Sequence, residues 1–372
     1  MAADRAAEEV MQRRAVVIAS RLLRDGIIKV TTRLPWLLLV AATAMAQDST
    51  GASNLALPTD NHGLFSGGGA EFYQYIIRDF QGVKTTPWEG GQYGFVRNPV
   101  DTAAGRFYTR FHEGIDIRPV HRDANGEPLD QVRAIADGKV VHVNLVPGYS
   151  NYGKYVVVEH HWNGSDYYSL YGHLASTAVT PGARVERGAV LGILGYTGDG
   201  LDRARAHVHL ELNLLLSRHF GGWHSATFKD EPNRHGIYNG INLTGIDIAA
   251  LYLALRKQPS LTIPEFLARE DVAYKVLLPP SKSFDLPQRY PWMIKGAADT
   301  APRAWEVSFT KSGIPVRIAP SDKPVAAPEL SYFKKSAANY AYVTRGALTG
   351  AGNRATLTDS ARRLMQLLIF PQ

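Results

Sequence analysis

The chain has 372 residues and a mass of 40.9 kDa, which is enough for two domains joined by a linker. Hydrophobic residues make up 45% and charged residues 20% of the sequence, a mixture that excludes a disordered chain and a protein with many membrane spans. The sequence has no cysteine, which excludes disulfides, thiolate nucleophiles and cysteine-ligated metals. Any metal must therefore be held by histidine and carboxylate side chains.

The net charge of +7 is unevenly distributed along the chain. Residues 1–46 carry a net charge of +3, residues 47–279 a net charge of −3, and residues 280–372 a net charge of +7. The basic C-terminal region predicts either contact with an anionic polymer or a solvated basic face. Because no stripe of interleaved aromatic and basic residues accompanies it, we predict no nucleic-acid partner.

The first 46 residues have the pattern of a signal peptide. An apolar run at 34–46 follows several arginines and ends in Ala44-Met45-Ala46, the small-x-small pattern that a signal peptidase reads. The run is shorter than the ~20 residues that cross the hydrocarbon core, so no stable membrane span is predicted. We expect export with cleavage near Ala46, and hence a periplasmic or extracellular location in the cell envelope. The long basic stretch before the run leaves open a start at Met11 or an uncleaved anchor.

Residues 47–92 are predicted as an N-terminal linker and cap with a short helix at 70–80. Between residues 93 and 222, short β-type runs alternate with Gly, Asn and Pro, which is typical of a compact antiparallel β domain. The predicted strands lie at residues 139–145, 154–160, 167–170, 189–194 and 207–214.

Residues 223–279 are predicted as a helical extension. One helix is predicted at 245–257 and a second from Thr262, where Pro264 and Glu265 favour a first helical turn.

The dipeptide Pro279-Pro280 predicts a boundary before a small basic α+β domain of unknown role at 280–372. Its predicted elements are strands at 304–309 and 315–318 and a terminal helix at 359–370. The predicted fold class is therefore mainly β: an antiparallel sheet or barrel-sandwich, followed by helices and a small α+β domain.

The histidines indicate where the chemistry lies. All twelve fall between His62 and His235, and eleven of them fall between His112 and His235. Any metal or acid–base chemistry is therefore predicted in the β domain rather than in the basic C-terminal region.

His112 and Asp116 form the first of three informative patterns. On a straight strand their side chains share a face but stand ~13 Å apart, too far to bind one ion together. A helix would bring them together, but Gly114 and Pro119 disfavour a helix here. We therefore expect a bend at Gly114 that folds Asp116 back towards His112.

The other two patterns are residues 207–211 and residues 171–174. Alternation along a strand puts His207, His209 and Glu211 on one face. Neighbours on that face are ~7 Å apart, so one histidine can bind a metal while the other stands beside it. His173 ends a predicted strand of aromatic and apolar residues. Each pattern alone is weak, because such short motifs also occur by chance.

Together and in this order, the patterns resemble the lysostaphin/LytM family of zinc peptidases, which cut peptides of bacterial cell-wall peptidoglycan. The resemblance covers residues 93–214, about a third of the chain. The matching stretches are Tyr93-Gly94-Phe95-Val96-Arg97, His112-Glu113-Gly114-Ile115-Asp116, Ala134-Ile135-Ala136-Asp137-Gly138-Lys139-Val140, Asn151-Tyr152-Gly153-Lys154-Tyr155, Tyr171-Gly172-His173-Leu174 and His207-Val208-His209-Leu210-Glu211. The implied domain, LytM-like, spans 93–222.

The resemblance implies one Zn²⁺ per chain held by His112, Asp116 and His209, with His207 and His173 as catalytic histidines. Three protein ligands leave a fourth tetrahedral position open, as catalytic zinc sites do. The implied reaction is hydrolysis of peptide bonds in peptidoglycan cross-links or stem peptides by a metal-activated water, with a histidine as general base. His173 would stabilise the oxyanion or share the proton transfer.

Two other interpretations stay open at this point. One is a non-catalytic LytM-like protein that binds cell wall or activates another hydrolase. The other is a phosphoryl carrier of related barrel shape, which Asp116 as a ligand and the export pattern disfavour. For the basic C-terminal region we hypothesise retention on anionic envelope polymer or coverage of one side of the cleft. Residues 57–90 could run across the cleft, with Asn61 or His62 near the metal.

Overall fold

A computed structural model describes residues 54–75, 79, 82–84, 87–296 and 301–371, all of which belong to one unit spanning Asp48–Gln372. The predicted signal peptide and its cleavage site lie outside the described residues. Among the residues that are described, no helix combines the length and the apolarity that a membrane crossing needs.

Antiparallel strands dominate the first half of the described chain. The strands are β1 (Gly94–Thr102), β2 (Gly105–His112), β3 (Ile115–Ile117), β4 (Gln131–Arg133), β5 (Gly138–Asn144), β6 (Tyr155–Trp162), β7 (Ser165–Gly172), β8 (Ser176–Thr177), β9 (Arg184–Val185), β10 (Val190–Ile193), β11 (Val208–Leu215) and β12 (Leu243–Ile246). The main sheet has the order β12-β11-β7-β6-β5-β9, and β3 also pairs with β11. A smaller sheet has the order β4-β10-β8, and β1 and β2 form a separate two-stranded ribbon.

Strand β11 shows how the two faces of the main sheet divide. Its Val208, Leu210 and Leu212 enter the main hydrophobic core, which also contains Val132 of β4 and Leu191 of β10. The small sheet therefore shares one core with the main sheet. Side chains alternate along a strand, so the intervening residues of β11 lie on the opposite face, and this second face carries the histidines.

The predicted fold class is confirmed, since an antiparallel strand overlaps every run predicted between residues 139 and 214, with ends that differ by one or two residues. The length of the β1–β2 ribbon was not predicted, because only its first residues stood out in the sequence. The helix predicted at 70–80 is wrong in extent: it ends at Phe72, because Tyr73 is extended and bridges Ile117 of β3.

The described helices are short. They are α1 (Gly63–Ser66), α2 (Gly69–Phe72), α3 (Phe220–Thr227), α4 (Ile248–Lys257), α5 (Ile263–Leu267), α6 (Leu286–Arg289) and α7 (Asp359–Leu368). Helix α4 begins three residues later than predicted, because Gly245 belongs to β12 and the Asp247 side chain caps the helix by accepting from the Ala250 amide at 2.9 Å. Helix α5 begins at Ile263, directly after Thr262, the predicted start, which is its N-cap and forms a capping box with Glu265.

A second sheet lies in the C-terminal part of the chain. Its strands are β13 (Val272–Leu278), β14 (Ala304–Thr310), β15 (Pro315–Ser321) and β16 (Glu329–Phe333), in the order β15-β14-β13-β16, and a hairpin of β17 (Leu348–Ala351) and β18 (Arg354–Leu357) follows. Strand β13 comes from the segment predicted as a helical extension. The sheet therefore crosses the boundary predicted at Pro279-Pro280.

The predicted bend at Gly114 is confirmed, because Glu113 and Gly114 separate the end of β2 from β3. A Cβ atom on Gly114 would stand 2.3 Å from the carbonyl oxygen of Leu210, so only glycine fits between these two backbones. The bend is thus fixed by close contact with β11.

Gly114→Ala is expected to lower the free energy of unfolding by about 1–3 kcal/mol, because the backbone of β3 or β11 must shift to admit the methyl group. The matched control is Gly148→Ala, where a Cβ atom would meet no atom within 4 Å. Urea unfolding of both variants measures the difference. Equal stabilities would contradict the close approach of the two strands.

Candidate metal centre

Three side chains meet where β2, β3 and β11 come together. His112 ends β2, and Asp116 of β3 pairs directly with His209 of β11 in the sheet register. His112 Nε2 lies 3.0 Å from His209 Nδ1 and 3.1 Å from Asp116 Oδ1, and His209 Nδ1 lies 2.9 Å from Asp116 Oδ1. All three residues are buried. The structure therefore brings the three predicted ligands onto one small triangle of donor atoms.

The donor set fits a zinc ion. Two imidazole nitrogens and one carboxylate oxygen are ordinary zinc ligands, and their mutual distances suit bonds of about 2.0–2.2 Å to a common centre. The other ring nitrogens are engaged elsewhere: His112 Nδ1 contacts the Gln92 carbonyl at 2.7 Å, and His209 Nε2 contacts Glu211 Oε1 at 2.8 Å. These contacts assign a proton to the outward nitrogen of each ring, so a bound metal would meet the lone pair of the inward nitrogen.

Charged neighbours hold the ligand carboxylate in its ionised form. Arg97 donates to Asp116 Oδ2 at 2.6 Å and to the Gly90 carbonyl at 2.7 Å. Burial acts to raise the pKa of Asp116, but the nearby His112, His207 and Arg97 charges keep that pKa well below its usual value. Since Arg97 occupies Oδ2, only Oδ1 faces the two histidines.

His209 lies between two carboxylates. Burial acts to lower the pKa of His209, but its hydrogen bonds with Asp116 and Glu211 raise that pKa to about 10. Without a metal, the ring therefore holds a proton between the carboxylates at neutral pH. A metal must displace this proton, so metal binding is coupled to proton release.

The two predicted catalytic histidines stand beside the triangle. His207 Nε2 lies 3.4 Å from Asp116 Oδ1, and its Nδ1 contacts the Arg205 carbonyl at 2.6 Å. His173 Nδ1 contacts the Thr197 carbonyl at 2.8 Å, and the ring centroids of His173 and His207 are 4.7 Å apart. In both rings the carbonyl contact places the proton on Nδ1, so Nε2 is the nitrogen available to a substrate or a water.

The backbone of His173 is unusual. Its φ of 61° is in the left-handed region, which costs a residue with a Cβ atom about 1 kcal/mol or more. The conformation turns the chain at the end of β7 and presents the ring to His207. Burial and then the charges of His207 and His209 lower the pKa of His173 well below its ordinary value, so its imidazole is neutral.

These side chains line an open cavity of about 830 Å³. Its wall includes all five predicted site residues together with Tyr152 of the loop before β6 and Arg345 of the C-terminal region. A cavity of this size accommodates a peptide segment. The C-terminal region thus contributes to one side of the cleft.

Several functional contacts escaped prediction. The Tyr93–Arg97 motif was noted, but no role for Arg97 was inferred, and the carbonyl of Gln92 has no sequence signature. Tyr152 donates from its hydroxyl to Glu211 Oε1 at 2.8 Å, which fixes the carboxylate that holds His209. Tyr152 belonged to a recognised motif, so its position was available from the sequence but its partner was not.

The hypothesis that Asn61 approaches the metal is wrong. Its side-chain amide donates to the carbonyls of Glu71 and Arg118 at 2.9 and 3.0 Å, which ties it to the fold away from the triangle. His62 is exposed and does not line the cavity.

Glu211→Gln is expected to weaken zinc affinity about 10–100-fold, because the amide no longer stabilises His209 as a ligand through a charged hydrogen bond. Competition with a chromogenic chelator measures the affinity. The control is Glu159→Gln, which changes a half-buried residue on β6 of the same sheet and should leave the zinc affinity unaltered. An unchanged affinity in Glu211→Gln would show that this carboxylate does not support the ligand.

Comparison with known proteins agrees with this geometry. Residues 110–219 match the family model of peptidase family M23. The predicted resemblance to lysostaphin/LytM-type peptidases is therefore confirmed over this range, which is less than a third of the chain. No curated protein matches the sequence.

Several solved structures are similar over part of the chain. A putative peptidase M23 from Pseudomonas aeruginosa is 30% identical with a TM-score of 0.22, and the match covers 27% of this chain and 37% of the other. A zinc-containing peptidase from Vibrio cholerae is 26% identical with a TM-score of 0.23, and the match covers 38% of this chain and 36% of the other. The catalytic domain of lysostaphin from Staphylococcus simulans is 26% identical with a TM-score of 0.22, and the match covers 32% of this chain and 76% of the other. The chain thus spans little more than a third of the first relative. Because these TM-scores are low, the resemblance to the family rests on the match of residues 110–219 to the family model.

Proposed function

We propose that this protein is a zinc-dependent endopeptidase that hydrolyses peptide bonds in bacterial peptidoglycan cross-links or stem peptides. The observation that carries the proposal is the convergence of His112, Asp116 and His209 within about 3 Å of one another on the floor of an open cleft, with two further histidines beside them. The match to a peptidase family supports the reaction class.

In the proposed mechanism, a zinc ion bound by these ligands would polarise the scissile carbonyl and acidify a water molecule. His207 accepts the proton of that water at Nε2 and delivers it to the leaving amine. The Arg205 carbonyl fixes the tautomer and the direction of the His207 ring. His173, whose Nδ1 proton is held by the Thr197 carbonyl, keeps Nε2 free to share this proton transfer.

Digestion of defined muropeptides, followed by mass spectrometry of the products, tests the proposal. We expect cleaved peptide bonds with the wild-type protein and none after removal of metal by a chelator, with activity restored by added Zn²⁺. Binding of sacculi without any cleavage would instead support the alternative of a non-catalytic cell-wall-binding or hydrolase-activating protein.

We further propose that the enzyme acts outside the cytoplasmic membrane, in the periplasm or the extracellular envelope. Peptidoglycan lies there, and residues 34–46 supply the pattern of an export signal. Contact of the basic C-terminal region with an anionic envelope polymer also stays a prediction. Its net charge of +7 supports such contact through long-range attraction that salt would screen.

A further inference from the structure

The C-terminal region reaches the metal centre through one arginine. Arg345 Nη2 donates to Glu113 Oε1, and its guanidinium carbon lies 4.8 Å from the centroid of the Phe111 ring. Phe111 and Glu113 are the two chain neighbours of His112. One guanidinium therefore contacts both sides of a candidate metal ligand, although 232 residues separate Arg345 from Glu113.

The backbone of Arg345 is held in a costly conformation. Its φ of 55° is left-handed, a conformation that is unfavourable for a residue with a Cβ atom. The buried Thr344 fixes the turn, because its hydroxyl donates to the Tyr340 carbonyl at 2.7 Å and accepts from the Leu348 amide at 3.0 Å. A turn this well bonded presents the arginine side chain in a defined direction.

A second contact binds the same turn to the same strand. The rings of Tyr342 and Phe107 are stacked with their centroids 6.3 Å apart, and Phe107 lies on β2, which His112 ends. The turn that carries Tyr342 and Arg345 thus contacts β2 at two places, Phe107 and Phe111. The two residues that make these contacts, Tyr342 and Arg345, lie outside the stretch 110–219 that matches the peptidase family.

We propose that Arg345 is a positioning residue for His112: it fixes the Glu113-Gly114 bend and thereby sets the donor triangle for the metal. Glu113 begins the bend that returns Asp116 to His112, so a carboxylate held at Glu113 restrains both ligands. The inference rests on the proposed zinc site. The C-terminal region would then help to position a metal ligand, in addition to any role of its net positive charge.

The sign of the effect distinguishes positioning from simple electrostatics. Loss of a cationic side chain near a cation site would strengthen metal binding if only charge mattered. If Arg345 positions His112, loss of the guanidinium weakens Zn²⁺ binding. The His112 side chain must then be ordered when the metal binds, and this ordering reduces the binding free energy. The two roles therefore predict opposite changes in the dissociation constant for Zn²⁺.

The test is Arg345→Asn in the full chain, because asparagine tolerates the left-handed backbone while it removes the guanidinium. We expect the Zn²⁺ dissociation constant, measured by competition with a chromogenic chelator, to rise about 10–100-fold, the range for partners that support a ligand. Arg345→Lys should weaken binding less, since it keeps the charge but loses the planar group. Arg354→Asn, an exposed change on β18, is the matched control.

Urea unfolding of the metal-free variants separates positioning from a general loss of stability, and Arg345→Lys provides a second variant if Arg345→Asn does not fold. An unchanged or tighter Zn²⁺ dissociation constant in both variants would overturn the inference. An increase in KM with unaltered metal affinity would also overturn it, because the guanidinium would then act on the substrate. A wild-type protein that binds no zinc would overturn the proposed function and this inference together.

Discussion

His209→Ala is expected to remove stoichiometric zinc and to lower kcat/KM by at least about 1000-fold, because the activation of water by the metal is lost. His209 supplies the nitrogen at 2.9–3.0 Å from both other ligand atoms. Its loss also leaves the buried carboxylates of Asp116 and Glu211 without their shared partner, so two like charges then face the site.

Metal analysis of the purified protein and kinetics on a defined muropeptide measure this prediction together. His219→Ala is the control, because His219 is exposed and lies outside the cleft. Zinc retained at one ion per chain in His209→Ala would show that the ligand set proposed for this site is wrong.

His207→Ala is expected to keep its zinc but to lower kcat/KM by about 100–10,000-fold, the usual contribution of a general base. His207 Nε2 stands 3.4 Å from the ligand oxygen of Asp116, near enough to reach a water at the metal but outside the triangle of ligands.

Zinc content and kcat/KM, measured on the same preparation, separate the roles of His207 and His209. A variant that loses its zinc would make His207 a ligand. A variant with full activity would transfer the role of base to His173, whose ring centroid lies 4.7 Å from that of His207.

Much of the candidate site was accessible from the sequence because its signals are local. Alternation on β11 placed His209 and Glu211 on one face, and a glycine between His112 and Asp116 indicated the bend. Both follow from the geometry of a strand and from the conformational freedom of glycine. The convergence of the distant ligands came from the family resemblance rather than from spacing.

The contacts that escaped prediction depend on long-range packing. The carbonyl of Gln92 that orients His112 is a backbone group, which every residue possesses, so no side chain marks it. Arg345 lies outside the stretch that matches the peptidase family, and 232 residues separate it from Glu113, so no local pattern indicates their pairing. Strand β13 was missed because it immediately precedes Pro279-Pro280, which suggested a boundary at that point.

The central claim is that two imidazoles and one carboxylate bind a single zinc ion at the floor of the cleft. A crystal structure of the zinc-loaded protein, with anomalous scattering recorded at the zinc edge, tests it most directly. We predict one anomalous peak about 2.0–2.2 Å from His112 Nε2, His209 Nδ1 and Asp116 Oδ1. A peak elsewhere, or no peak at these three atoms in zinc-saturated crystals, would contradict the account.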